Sequence, residues 1–84
     1  MSDLEFDVLD ELYFVTSFGQ LCRTLQLAEQ EVKEILRALV GKGWVKCFDG
    51  DTKEVVVSEL SFDERYAQYH YLATKAGLFA HHSR

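Results

Sequence analysis

The chain has 84 residues, of which 48% are hydrophobic and 13% aromatic, with no proline and a net charge of −5. A chain of this length buries only about 60% of its unfolded surface, so we expect one small domain over residues 1–84. The composition excludes a disordered chain, and no apolar run is long enough to cross a membrane. The N-terminus, MSDLEFDVLDEL, is acidic and lacks a signal-peptide pattern, which predicts a cytoplasmic protein.

Negative charge is concentrated at the start of the chain. Residues 1–11 hold five acids and no base, whereas residues 12–84 hold nine acids and nine bases. The larger part of the chain is therefore balanced and lacks the basic excess that is typical of proteins that bind nucleic acids.

Two short helices are predicted in the first third of the chain. The spacing of Leu4, Val8 and Leu12 predicts a helix over residues 4–15, with Asp3 as its N-cap. A second helix is predicted over residues 17–25, because Ser17 and Gln20 match a capping box that precedes a hydrophobic stripe.

The third helix has the clearest pattern and is predicted over residues 29–41. Its apolar residues recur at the spacing of one buried helical stripe, namely Val32, Ile35, Leu36, Leu39 and Val40. Residues 26–28 leave room only for a tight turn, which predicts a helix-turn-helix arrangement. The opposite face of the helix carries four polar side chains that would project away from the core, namely Gln30, Lys33, Glu34 and Arg37.

The second half of the chain predicts strands and a closing helix. Strands are predicted over residues 44–48, 54–60 and 66–73, with a turn at Asp49-Gly50-Asp51. Thr74 can cap a helix over residues 75–82. The predicted fold class is therefore α+β.

Two segments resemble the winged helix-turn-helix family. The segment LRALVGKGWVKCF, residues 36–48, resembles the exit of that family's recognition helix into its wing. The segment YLATKAGLFAH, residues 71–81, is similar to the strand-to-helix passage of PadR-like and MarR-like bacterial regulators. The resemblance covers nearly the whole chain and implies a three-helix bundle with a β-hairpin wing and a C-terminal helix.

The resemblance also implies a function, that of a transcriptional regulator which binds double-stranded DNA. The third helix would then enter the major groove, with Gln30, Lys33, Glu34 and Arg37 as the residues that read bases. Phosphate contacts would fall to Arg23, Lys53 and Arg65. A homodimer would form through the first or the closing helix, with Leu78 and Phe79 as candidate contacts.

Two alternatives to DNA binding remain open. The polar residues of the third helix can be an ordinary solvated face. The charge balance also favours a winged-helix module whose acidic first helix or carboxylate-bearing wing docks on a basic protein partner. A third hypothesis is an oxidant sensor that uses Cys22 or Cys47, although both lie in apolar patterns typical of buried thiols.

No pattern in the sequence predicts catalysis, and we expect neither an enzyme nor a cofactor. His70, His81 and His82 match no known metal-ligand spacing, so no metal site is predicted. The position of His81 and His82 near a helix C-terminus, where positive charge is favourable, explains them more simply.

Overall fold

The computed structural model of the protein describes residues 1–50 and 52–83, so that Asp51 of the predicted turn and Arg84 lie outside the described residues. The described residues form an α+β fold of helices around an antiparallel sheet. In chain order the elements are α1 (Asp3–Asp10), β1 (Thr16–Ser17), α2 (Phe18–Leu25), α3 (Glu29–Gly41), β2 (Val45–Asp49), β3 (Lys53–Val55), a 3-10 turn (Val57–Glu59), α4 (Phe62–Arg65), β4 (Tyr69–Ala73) and α5 (Lys75–His82).

The sheet has the strand order β1-β4-β2-β3, with antiparallel neighbours throughout. Strands β2 and β4 pair along their full length, from Val45 opposite Ala73 to Asp49 opposite Tyr69. Alternate residues of these strands are buried, except for the exposed Asp49 at the end of β2, so one face of the sheet closes the core.

The core confirms the predicted stripe of the third helix. Val32, Leu36 and Leu39 of α3 have no exposed surface. They join a cluster with side chains of α1, α2 and the sheet, namely Val8, Leu9, Leu12, Phe18, Leu21, Val45, Cys47, Tyr69, Tyr71 and Ala73. The apolar side of α3 is therefore the centre around which the other elements pack.

The first helix differs from its prediction at both ends. Ser2, not Asp3, is the N-cap, since its hydroxyl accepts from Glu5 N at 3.1 Å while the Glu5 carboxylate accepts from Ser2 N at 3.0 Å. The helix ends at Asp10 instead of residue 15. The reason is that the chain must turn to pair Thr16 with Tyr71, which adds a short strand that the sequence did not predict.

The predicted bounds of the next helices are correct to within one residue. The second begins at Phe18, with Ser17 as the expected N-cap, and the third covers Glu29–Gly41 as predicted. Ala28 supplies no side-chain cap to α3, and Glu31 instead accepts from its backbone N–H at 3.3 Å.

The segment between β2 and β4 differs most from its prediction. The predicted strand 54–60 is only Lys53–Val55, and the predicted strand 66–73 begins at Tyr69. Residues Phe62–Arg65 instead form the one-turn helix α4. Helical spacing brings Phe62 and Tyr66 together against the core, and the Tyr71 hydroxyl donates to the Tyr66 carbonyl at 2.6 Å, so the strand starts late.

Helix α5 packs against the segment that follows α3, through Thr74 and Gly77. The Thr74 hydroxyl accepts from Gly77 N at 3.1 Å, as predicted for an N-cap, and donates to the Gly43 carbonyl at 2.7 Å. A Cβ on Gly77 would lie 2.1 Å from the Trp44 carbonyl oxygen. This glycine is therefore required by close backbone approach, although glycine weakens a helix.

The two histidines of the last turn of α5 meet one tyrosine. The Tyr13 hydroxyl lies 3.0 Å from His81 Nδ1 and 2.9 Å from His82 Nε2. The His81 ring also stacks on Phe6, with centroids 4.2 Å apart, and its Nε2 lies 3.3 Å from an Asp10 carboxylate oxygen. These contacts fasten α5 to the C-terminal end of α1. The two adjacent histidines thus reach a common partner, the Tyr13 hydroxyl.

A salt bridge connects the start of α1 to the end of α3. Lys42 Nζ lies 2.7 Å from the Glu5 carboxylate, which is largely buried. The hydrogen bond from Lys42 is the main reason that the pKa of Glu5 is lowered, and the backbone hydrogen bond from Ser2 adds to it. The charged form of Glu5 is therefore the form that stabilises the fold.

We predict that Gly77→Ala lowers the free energy of unfolding by about 1–3 kcal/mol, because the added methyl group overpacks a backbone contact that no side-chain rotation can relieve. Chemical denaturation measures the change. Gly41→Ala is the matched control, since a Cβ there meets nothing within 4 Å. That variant should be stabilised, by up to about 1 kcal/mol, through helix propensity alone. Equal effects at the two positions would contradict the close packing of α5 on Trp44.

We predict that Glu5→Gln lowers stability by about 1 kcal/mol at neutral pH, because it removes the negative charge that pairs with Lys42. A group with a lowered folded-state pKa contributes stability above its unfolded pKa and loses it as the pH falls through the folded pKa. The difference between Glu5→Gln and the wild type should therefore vanish in acid. Denaturation over a pH series tests this, with Asp7→Asn on the exposed face of α1 as control. A difference that persists in acid would exclude the ion pair as its cause.

Candidate functional site

The four residues predicted to read bases lie along the outward side of α3. Gln30, Glu34 and Arg37 are exposed, whereas Lys33 is half-buried. The burial of Lys33 results from α4, which lies beside this part of α3. We call this surface the α3–α4 face and define it by Gln30, Lys33, Glu34, Arg37, Phe62, Asp63 and Tyr66.

Aromatic side chains of the α4 segment lie against the two cations of the face. Lys33 Nζ is 4.7 Å from the centroid of the Tyr66 ring, and Arg37 Cζ is 5.3 Å from that of Phe62. Tyr66 is itself held edge-on to the buried Phe18, with centroids 5.1 Å apart. Both cations therefore have an aromatic partner within the chain.

Carboxylates complete the contacts of Arg37. Its guanidinium donates to Asp63 through one nitrogen and to Glu34, at 3.3 Å, through another. The bond to Asp63, together with that to Glu34, raises the pKa of Arg37, and the same bond lowers the pKa of Asp63. Gln30 donates to the other Glu34 oxygen at 3.1 Å. The result is one continuous network from Gln30 to Asp63.

The residues predicted to contact phosphate lie in two other places. Arg23 is on α2, where it donates to Gln20 at 3.2 Å. Lys53 and Arg65 both lie near Asp49, since Lys53 is opposite it in the sheet and Arg65 is 3.6 Å from its carboxylate. They line a cleft of about 270 Å³ that also contains Glu54 and Glu59. Lys53 and Arg65 thus share a site with three acids.

The face contains three residues that were not predicted from the sequence to belong to a site, namely Phe62, Asp63 and Tyr66. The sequence does contain a pattern that indicates a helix here. Ser61 is followed by Phe62 and Tyr66 at helical spacing and by two acids in the first turn. The strand predicted over residues 66–73 placed Tyr66 in the sheet instead, and a strand there would have left Lys33 and Arg37 uncovered.

The α3–α4 face therefore presents an amide, two carboxylates and cations that already have partners. Glu29 and Glu31 add two more exposed carboxylates at the start of α3. A phosphate group that approached this end of α3 would meet negative charge, whereas a lysine or arginine side chain would meet acceptors.

Comparison with protein-family models, with curated proteins and with solved structures gives no match. Among the described helices, none has both the length and the apolar character that crossing a bilayer requires.

The two cysteines lie in surroundings that suppress thiolate formation. Cys47 has no exposed surface, and burial raises the pKa of its thiol to about 12. Burial is also the main cause of the raised pKa of Cys22, which is only half-buried. Neither environment has the lowered pKa that a reactive thiol needs.

We predict that Cys47 reacts slowly with a thiol reagent in the folded protein. In a Cys22→Ser variant, labelling should be at least about 100-fold slower than in denaturant, since access requires unfolding against about 3 kcal/mol or more. Labelling kinetics followed by mass spectrometry give the ratio. Comparable rates with and without denaturant would restore the oxidant-sensor hypothesis for Cys47.

Proposed function

We propose that this chain is an acidic winged-helix domain that binds a basic segment of a partner protein through the α3–α4 face. The winged-helix assignment is supported by the element order, in which three helices precede an antiparallel hairpin and a closing helix. A cytoplasmic location belongs to the same proposal, since Cys22 and Cys47 are both free thiols.

One observation carries the proposal, namely that Lys33 and Arg37 are engaged within the chain. A helix that reads DNA offers free donors to base edges and phosphates. Here Arg37 donates to Asp63 and Glu34, and Lys33 lies over Tyr66. Transfer of these cations to DNA would require breaking those contacts, and the carboxylates left behind would repel phosphate.

The same contacts suit a basic partner. Each carboxylate has several acceptor sites, so Glu34 and Asp63 can bond to an incoming guanidinium as well as to Arg37. Charge-assisted bonds of this kind are stronger than neutral ones. The net charge of −5 would also steer a basic segment toward the domain.

Double-stranded DNA remains the second candidate, in the role of a transcriptional regulator. It is favoured by the connection of α2 to α3, in which Gln26 takes the left-handed conformation with φ 55° and allows a tight turn between the helices. Gln30 is also exposed at the start of α3, where helix-turn-helix proteins contact bases.

Arg37→Gln distinguishes the two candidates, because they predict opposite signs. Loss of the guanidinium frees Glu34 and Asp63, so binding of a short fluorescent Lys/Arg-rich peptide should tighten by about two- to fivefold. Binding of a short random-sequence DNA duplex should weaken if Arg37 contacts DNA. Fluorescence anisotropy titrations at low and moderate salt measure both affinities.

Lys46→Gln is the matched control for this experiment. Lys46 lies 3.6 Å from Glu54, away from the α3–α4 face, so its loss frees a carboxylate and changes the net charge by the same amount. An equal gain in the control would show that the peptide responds to total charge alone and would contradict the proposed site. Duplex binding that exceeds peptide binding and falls on Arg37→Gln would favour the second candidate.

A further inference from the structure

A separate apolar surface lies on the outer side of α5. Phe79 projects from it with 75% of its surface exposed, whereas its neighbour Leu78 packs against the core. Of the two residues predicted as dimer contacts, only Phe79 is thus available on the surface. We call the surface the α5 outer face and define it by Trp44, Lys75, Ala76, Phe79 and Ala80.

The α5 outer face contains a shallow, wide-open hollow next to the Phe79 side chain. One concavity of about 670 Å³ is lined by all five residues of the face. A second, of about 340 Å³, shares Trp44 and Ala80 and extends to Met1 and Ser83. Because Ala76 and Ala80 are small and one turn apart, the backbone of α5 is accessible to a closely packed helix.

The charge of this face differs from that of the rest of the chain. Among the described residues that line the two concavities there is no carboxylate, and Lys75 is the one charged side chain. A basic partner has nothing to pair with here. Two copies of a chain with net charge −5 repel each other over most of their surface, so a face without carboxylates is where they can approach.

We propose that a second copy of this chain occupies the α5 outer face, with the two α5 helices antiparallel across a twofold axis. A twofold interface must be self-complementary, and this face offers both a projecting ring and a hollow to receive it. Antiparallel pairing also brings each Lys75, at the first position of α5, toward the C-terminal end of the partner helix. The exposed carbonyl groups there attract positive charge.

The dimer and the proposed binding of a basic segment depend on different residues. The α5 outer face shares none with the α3–α4 face, so either proposal can fail without the other.

Sedimentation velocity over a broad dilution series tests the dimer. The wild type should sediment as a dimer that dissociates on dilution, and Phe79→Asp should weaken the association at least about 30-fold, as expected for a central aromatic contact. Phe14→Asp is the matched control. Phe14 is 82% exposed and lines neither concavity. It follows Tyr13, which contacts the histidines of α5. The Phe14→Asp variant should therefore dimerise like the wild type.

Ala76→Trp distinguishes specific packing of the two α5 helices from non-specific hydrophobic association. It adds apolar surface but fills the hollow, so it should weaken a dimer built on close approach of the two α5 helices. Circular dichroism checks that each variant is folded, and Ala76 is exposed enough to tolerate the change. The dimer is overturned if the wild type stays monomeric at every concentration, if both aspartate variants behave alike, or if Ala76→Trp associates more strongly.

Discussion

The packing of α4 against the outward side of α3 determines which groups of the α3–α4 face are available to a partner. Arg37 is bonded to Asp63, which is 26 residues away in the chain, and Tyr66 lies between Lys33 and the buried Phe18. Without this packing, α3 would present two cations to solvent. With it, the long connection between β2 and β4 supplies partners for both cations from within the same chain. The groups that can still accept bonds from a partner protein are then the carboxylates.

The same principle, in which a polar group finds its partner inside the chain, recurs at the other end of α3. Lys42 is held by Glu5, and Lys46 lies near Glu54. Arg37, Lys42, Lys46 and Arg65 thus each have a carboxylate within salt-bridge distance, although the chain as a whole is acidic. Apart from the pair of Lys42 with the largely buried Glu5, these exposed pairs add little stability individually. Their larger effect is to set which charges remain for a partner.

Elements fixed by periodicity could be predicted from the sequence. The stripe of α3 and the caps Ser17 and Thr74 are local patterns, and each was placed correctly. The early end of α1 could not be predicted, because it depends on the pairing of Thr16 with Tyr71, a contact between distant residues. The role of Gly77 in α5 could not be predicted either, since it is a contact with the backbone of Trp44, which is distant in the chain.

The candidate site was only half predictable. Helical spacing identified Gln30, Lys33, Glu34 and Arg37 as one outward face, and the structure places them along one side of α3. Their partners come from a segment in which Tyr69 and Tyr71 alternate as in a strand and whose helical turn is short. The acidic balance of the sequence indicated that carboxylates would matter, but not that Asp63 would lie on Arg37.

The pKa of the Asp63 side chain, followed by NMR over a pH titration of the wild type and of Arg37→Gln, tests the pairing of Arg37 with Asp63 most directly. The hydrogen bond from Arg37 should hold the pKa of Asp63 below its ordinary value in the wild type, and the variant should move it back up. An ordinary value in the wild type, unchanged by the substitution, would show that Arg37 is free in solution and would contradict the account.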